Sequence, residues 1–380
     1  MKTRIEISSL ATNRLSGVAG YTRLLSEALS DDAHNRTYGH FFNFLNRQPQ
    51  PDVNLKNGSL EKNGLVPLRV YAKLQSYNIA PPFDIFRPKV DLTIFPNFAT
   101  WPTMHSKLRA TVIHDLTYLY YPELVEEKNL AHLQRVVPRS IKSADFIITV
   151  SESVKAELVK EFGLKSANCI VTTIPPSKTF REKKSSGTIM SVQKKYNIHT
   201  EKYIYFIGNL EPRKNLATLI EAYKLLPDSI REEYSLVLAG AKGWKTNATQ
   251  TAIDEAIRSG ENVQHIGFID QKDSPALYQG ASVFVMPSLY EGFGMPVLEA
   301  ITSRTPVIAS DIPVLHEAGG LIAHYANPHS AASFARAIES ILSSTIPKDY
   351  EVMRRKHLDS FSWEKNVDTI QKKAQQLLRT

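Results

Sequence analysis

The sequence predicts an α/β protein built from two doubly wound, parallel sheets. Three observations carry this. Short apolar, aromatic or β-branched runs alternate with segments of helical composition along the chain. The 380 residues exceed the size at which a single core stops growing. Pro175-Pro176 and the polar stretch Arg181-Glu182-Lys183-Lys184-Ser185-Ser186-Gly187 break the alternation once, as an exposed connection between domains should.

In chain order, the first half offers strands at Ile5 to Ser8, Tyr38 to Phe44, Leu92 to Phe95, Ala110 to Ile113, Phe146 to Val150 and Ile170 to Ile174. The second half offers Tyr203 to Ile207, Ser235 to Ala239, Val263 to Ile266, Ser282 to Met286 and Pro306 to Ala309, with helices at Leu216 to Leu226 and Pro296 to Ser303. The boundary is expected near residue 180, giving domains 1–180 and 181–363. Two such domains would turn the carboxyl ends of their strands towards a shared cleft, so function is sought in loops that follow strands.

Composition narrows the class. Hydrophobic residues at 42% and charged residues at 22% are ordinary for a globular protein. Cys169 is the only cysteine, which excludes an intrachain disulfide or a cysteine-based metal cluster. Met1 runs into Arg4-Ile5-Glu6-Ile7 without the apolar stretch of a signal peptide, and no later run reaches a membrane span, so a cytoplasmic protein is expected. The net charge of +8 is concentrated early, with 22 Lys/Arg against 16 Asp/Glu in residues 1–180. Lys107, Arg109, Arg135, Arg139 and Lys142, interleaved with apolar residues, form either the solvated face of a packed helix or a surface for an anionic bilayer at the inner face of the plasma membrane.

The most informative stretch is Ser288-Leu-Tyr-Glu-Gly-Phe-Gly-Met-Pro-Val-Leu-Glu-Ala300, between a strand and a helix. Gly292 and Gly294 let backbone approach a ligand closely, and a helix starting near Pro296 directs unpaired N–H groups and a positive dipole end at it. An anionic or oxygen-rich ligand suits such a loop. Glu291 and Glu299 can reach different parts of one elongated ligand. A second loop after a strand, Phe206-Ile-Gly-Asn-Leu-Glu-Pro-Arg-Lys-Asn-Leu216, sets Arg213 and Lys214 side by side. Cations beside a helix's positive end are poorly placed unless an anion joins them. Thr111-Val-Ile-His-Asp-Leu116 puts His114 at the carboxyl end of a strand, and Leu15-Ser-Gly-Val-Ala-Gly-Tyr21 is a glycine-containing turn before a helix.

Together these stretches resemble retaining glycosyltransferases of the large GT-B group, specifically family 4, whose hallmark is a Glu-x7-Glu element with a Gly-Phe-Gly core. The resemblance covers nearly the whole chain and implies the GT-B fold: two Rossmann-like domains facing a central cleft. Phe361-Ser-Trp-Glu364 and the amphipathic Val367 to Leu378 resemble the last helix, about 364–380, which crosses back to the N-terminal domain. It implies that Glu291 binds the transferred sugar beside the reacting carbon, with Gly292, Phe293 and Gly294 positioning it, and that Glu299 binds the donor ribose. Arg213 and Lys214 would grip the diphosphate, His114 would contact the sugar, and Gly17 would bring backbone near the donor phosphate. Glu291, His114, Arg213 and Lys214 form the implied catalytic set. The segment His114-Asp-Leu-Thr-Tyr-Leu-Tyr-Tyr-Pro-Glu123 looks like members that use GDP-mannose to extend bacterial surface polysaccharides.

Where the family has a small-residue and glycine turn, this chain has Thr302-Ser-Arg-Thr305, so Arg304 and the nearby Glu317 receive no role. Asp-x-Asp is absent from the sequence, so metal-independent chemistry is expected, with the nucleotide sugar a substrate and no cofactor. The expected partners are a nucleotide-sugar donor and a glycan or lipid-linked glycan acceptor. The alternatives are a UDP-hexose-dependent transferase of the same fold and a non-catalytic nucleotide-sugar-binding scaffold. A dinucleotide oxidoreductase would need a Gly-x-Gly-x-x-Gly fingerprint with an acidic residue about 20 positions on, which the sequence lacks. It also offers no recognition motif for nucleic acid.

Overall fold

The computed structural model describes residues 1–12, 17–77, 79–241, 243–345, 347 and 349–379. They form two compact units. The first comprises Met1–Tyr120, Glu127–Ile174 and Ser362–Thr380, and the second Tyr121–Glu126 and Pro175–Phe361. The chain passes between them at Ile174 and Pro175, a few residues before the expected position, and a short segment at 121–126 belongs with the second unit.

The first unit contains seven parallel strands: β1 (Lys2–Glu6), β2 (Arg36–Phe42), β3 (Gly58–Asn63), β4 (Val90–Phe95), β5 (Ser106–Ile113), β6 (Phe146–Thr149) and β7 (Cys169–Val171), ordered β3-β2-β1-β4-β5-β6-β7. Phe42, Tyr71, Phe83, Phe95 and Trp101 pack into one aromatic cluster of its core. The unexpected strand is β3, whose sequence Gly-Ser-Leu-Glu-Lys-Asn is too polar to read as one. Its buried Glu61 accepts from the fully buried Arg4 of β1, Nε to Oε2 at 2.8 Å, and Arg4 also meets Asp84 at 3.3 Å. A charge buried in this sheet therefore carries its own partners, which is what makes it tolerable there. The helix Trp363–Arg379 belongs to this unit and packs against the helix Gly17–Asp31. Asn366 Nδ2 donates to the Thr173 carbonyl at 2.6 Å and Lys373 Nζ to Asn168 at 3.1 Å.

The second unit contains six parallel strands: β8 (Lys202–Ile207), β9 (Tyr234–Ala239), β10 (Val263–Gly267), β11 (Val283–Met286), β12 (Val307–Ser310) and β13 (His324–Ala326), ordered β10-β9-β8-β11-β12-β13. Only β13, three residues long, escapes the sequence reading. β8 and β11 are neighbours, with Val283 opposite Ile204 and Phe284 opposite Tyr205. From β8 the chain goes through the helix Leu216–Lys224 towards β9; from β11 it goes through the helix Met295–Thr302 towards β12, on the other side. The loops after β8 and β11 thus part at the point where strand order reverses, which opens a crevice in sheets of this kind.

Candidate active site

Both sequence-predicted loops of the second unit arrive at this switch point. The one after β8 runs close to the one after β9: a Cβ added at Gly240 would lie 1.8 Å from the Gly208 carbonyl oxygen, and Gly240 has a φ of +138°. Only glycine fits so close an approach. Pro212–Lys214 then forms a short 3-10 turn, and Asn215, at φ +56°, turns the chain into the helix Leu216–Lys224. Asparagine tolerates this left-handed conformation better than most residues. The Asn215 amide donates to the carbonyls of Pro287 at 3.0 Å and Pro328 at 2.8 Å, and its oxygen accepts from Thr218 Oγ1 at 2.7 Å. The Leu289 N–H donates to the Arg213 carbonyl at 2.9 Å. One main-chain bond and the Asn215 amide thus tie the two loops together before any charge is considered.

Their charges then converge. The Glu291 carboxylate lies between two cations, Oε1 at 2.7 Å from Lys214 Nζ and Oε2 at 2.6 Å from Arg213 Nη1. Arg213 also reaches Glu211 Oε1 at 2.6 Å and donates to the Tyr290 carbonyl at 2.7 Å. Side-chain exposures are only 16% for Arg213, 10% for Lys214, 8% for Glu291 and 3% for Glu211, so the charges interact in a poorly screened setting. Burial by itself would push the Glu291 pKa up. Arg213 and Lys214 more than reverse that and hold it at about 2. Burial draws the Lys214 pKa down, with Glu291 opposing.

The rest of the loop is set by packing. Gly294 sits at φ +95°, and a Cβ there would lie 2.5 Å from Leu315 Cδ2. Phe293 turns its ring inwards, with its centroid 5.9 Å from that of Phe361. Its side chain anchors the loop from within. The helix begins at Met295, one residue before the expected Pro296. Glu299 stands in its second turn, partly exposed, and Tyr278 donates to its Oε2 at 3.0 Å. Burial raises the Glu299 pKa to about 7.

The two remaining predicted residues belong to the first unit. His114 follows β5 and is buried; its Nε2 donates to the Pro96 carbonyl at 2.7 Å, so that nitrogen carries the proton. Tyr21 meets its ring edge to face at 5.0 Å. Burial lowers the pKa of His114, so it is a neutral polar group at neutral pH. Asp115 accepts from the Thr117 N–H at 3.0 Å and fixes the following turn. Gly17 is the first residue of its helix and Gly20 lies within it, whereas a turn was expected there. Among the described residues, nothing lies within 4 Å of a Cβ added at Gly17. Leu15 and Ser16 of that motif lie outside the described residues.

Residues 190–359, nearly all of the second unit, match the model of the family described as glycosyl transferases group 1. O-antigen chain mannosyltransferase B of Escherichia coli is 30% identical over 255 residues, 67% of this chain and 66% of that protein. The chain belongs to the glycosyl transferases group 1. O-antigen chain mannosyltransferase RfbU of Salmonella typhimurium is also 30% identical, over 60% of this chain and 59% of its own. The aligned stretches thus span somewhat under two thirds of these relatives. The crystal structure of Anabaena HepE in complex with UDP-glucose superposes with a TM-score of 0.63 over the whole of both chains at 15% identity, a likeness of fold. As in that structural group, this transferase-family chain is two Rossmann-like units, each a parallel sheet with helices.

Three residues of the site escaped sequence reasoning. Glu211, the second carboxylate on Arg213, stands inside the quoted motif, and its spacing two residues before Arg213 was the available signal. Asn215 stands there too, but only the positive φ discloses why asparagine is used. Tyr278 comes from the helix Ser274–Gly280, and nothing in the sequence links it to Glu299.

Proposed function

We propose that the protein transfers a hexose, mannose from GDP-mannose, with retention at the anomeric carbon, to a hydroxyl of a glycan or lipid-linked glycan during surface polysaccharide synthesis, without a metal. The observation that carries this reading is the convergence of Arg213, Lys214 and Glu291 at the strand-order switch of the second unit. The likeness to O-antigen chain mannosyltransferases supports the choice of sugar.

In this reading Arg213 and Lys214 hold the donor diphosphate. As the bond from the anomeric carbon to the phosphate oxygen breaks, its electron pair stays on that oxygen, and the fixed cations stabilise the growing charge more than the ground state. One such pair about 4 Å apart at an effective dielectric near 20 is worth roughly 4 kcal/mol before desolvation. A carboxylate held at about 2 is a poor base, so Glu291 orients the sugar rather than taking a proton. The acceptor oxygen attacks from the face the phosphate leaves, and its proton passes to the departing phosphate oxygen. Glu299 receives the ribose hydroxyls. His114, neutral, supplies a polar contact to the sugar.

The protein works at the inner face of the plasma membrane. Among the described residues no helix is long and apolar enough to cross a bilayer. Of the basic residues considered for a bilayer surface, Lys107 pairs with Asp91 at 2.9 Å and Arg109 lies 3.9 Å from Asp145. Arg135 stacks over exposed Tyr77 and Arg139 bonds the Ser76 carbonyl, beside exposed Ile79. That mixed basic and apolar surface suits an anionic interface.

Calorimetric titration in EDTA with GDP-mannose, UDP-glucose and NAD tests the proposal. Tight binding of GDP-mannose, at least tenfold weaker in Lys214→Ala, is expected. Selective binding of NAD, or no sugar-nucleotide binding by folded protein, refutes it. Failure to sediment with anionic vesicles at low and physiological salt removes the membrane placement.

A further inference from the structure

Arg304, to which the sequence reading gives no role, lines a cavity in the second unit together with Arg181, Arg354, Arg355, Leu358 and Asp359. Its volume is about 250 Å³. The cavity is remote from the crevice in the fold. Arg304 precedes β12, at the amino edge of the sheet, whereas the Arg213 and Glu291 loops leave the carboxyl edge. The helix Met295–Thr302, about 12 Å long, runs from one edge to the other.

The four guanidiniums are not equivalent. Arg354, 4% exposed, is already committed to the fold: it pairs with Glu351 at 2.8 Å and donates to the carbonyls of Ile301 and Thr302 at 3.5 and 3.4 Å. Those carbonyls end the helix that carries Glu299, and a cation there is well placed against the dipole. Arg304 meets the same Glu351 through Nε at 3.3 Å and is itself exposed. Arg181 and Arg355 are exposed. Two carboxylates, Glu351, which two of the arginines share, and Asp359 of the lining, thus stand against four guanidiniums around the same space.

Two costs are evident. Like charges gathered around one cavity repel. Arg304 also adopts a φ of +67°, a left-handed conformation that glycine takes freely and a residue with a Cβ does not. A glycine at this position would relieve the backbone, yet the chain places there a side chain directed at the cavity. An anion bound among the guanidiniums removes the repulsion and uses their forked donors, whose geometry matches phosphate.

We propose that this cavity is a second anion site, separate from Arg213 and Lys214, which binds a phosphate-bearing group the size of a phosphate or diphosphate through Arg181, Arg304 and Arg355. It is too small to enclose a whole sugar nucleotide. The inference does not rest on the proposed transfer reaction.

The test uses Lys214→Ala protein, which has lost one cation of the crevice, titrated with inorganic pyrophosphate at two salt concentrations. A single salt-sensitive site is expected, weakened about tenfold by adding Arg355→Ala and likewise by adding Arg304→Gly. Arg304→Gly also reports on folding: its Tm should be unchanged or higher, because the strained backbone is relieved, while binding falls. If pyrophosphate does not bind but vesicles containing phosphatidylglycerol do, and Arg355→Ala abolishes this, the phosphate belongs to a lipid headgroup. Binding of neither probe, or binding that both arginine substitutions leave unchanged, overturns the proposal.

Discussion

Replacing Glu291 by Gln removes one charge from a buried cluster while keeping its shape. Lys214 loses its 2.7 Å carboxylate partner, whereas Arg213 keeps Glu211 and the Tyr290 carbonyl. Breaking a buried pair by removing one partner costs roughly 3–5 kcal/mol, and the surviving Arg213 contacts argue for the lower end, about 3. For a unit of this size that is a fall in Tm of about 6–12 °C in the transition of the second unit. The sign of the pH dependence follows from the lowered pKa of Glu291. Its folded value of about 2 lies below the ordinary 4.5, so its contribution is fully present above pH 4.5 and is lost as pH falls through about 2. The deficit of the variant should shrink over that window. A nucleoside diphosphate should compensate the stranded cations, so a fixed GDP concentration should raise the Tm of the variant more than that of the parent, by the equivalent of about 1.4 kcal/mol for tenfold tighter binding. Turnover should fall at the same time. Scanning calorimetry of both proteins with and without GDP makes the measurement. A variant with undiminished Tm, or one that gains no more from GDP than the parent, refutes the reasoning.

Other substitutions separate packing from chemistry. The folded pKa of Glu299, about 7, lies above its ordinary 4.5, so the folded protein loses stability as pH rises from 4.5 to 7. Glu299→Gln should therefore raise the Tm above pH 7, by the equivalent of roughly 1–2 kcal/mol given the partial exposure of the residue, while weakening donor binding in calorimetry. Tyr278→Phe removes the 3.0 Å donor to Glu299, so the pKa of that carboxyl should rise further. The pH at which donor affinity is half lost should then move up, which titrations across pH 6–9 would read. Gly294→Ala places a Cβ 2.5 Å from Leu315 at a φ of +95°, and should cost about 2 kcal/mol or more in denaturant unfolding together with donor affinity.

Most of the fold was legible because buried parallel strands must be apolar: Val283–Met286 and Lys202–Ile207 stand out against the polar turns around them. β3 was not, since Glu61 is buried only by virtue of Arg4, 57 residues earlier. β13 was too short to have a pattern. At the site, Gly292 and Gly294 in the loop after a strand marked where backbone can approach a ligand, and Glu291, Arg213 and Lys214 were identifiable as types. Their pairing was not legible, because Lys214 and Glu291 are 77 residues apart.

The sequence by itself determined the alternation of strand and helix, a break expected near 180 and the chemistry carried by the two loops, because these depend on local periodicity and on residue type. The tertiary structure decided which charges meet. It set Glu291 against Arg213 and Lys214, Tyr278 against Glu299, and Arg304 beside Arg181 and Arg355. Strand order brings β11 beside β8, and helices of fixed length return the chain to the opposite edge of the sheet. Since electrostatic energies depend on distance and burial, a carboxylate held at about 2 and another raised to about 7, eight residues apart, are properties of that arrangement and not of the glutamates themselves.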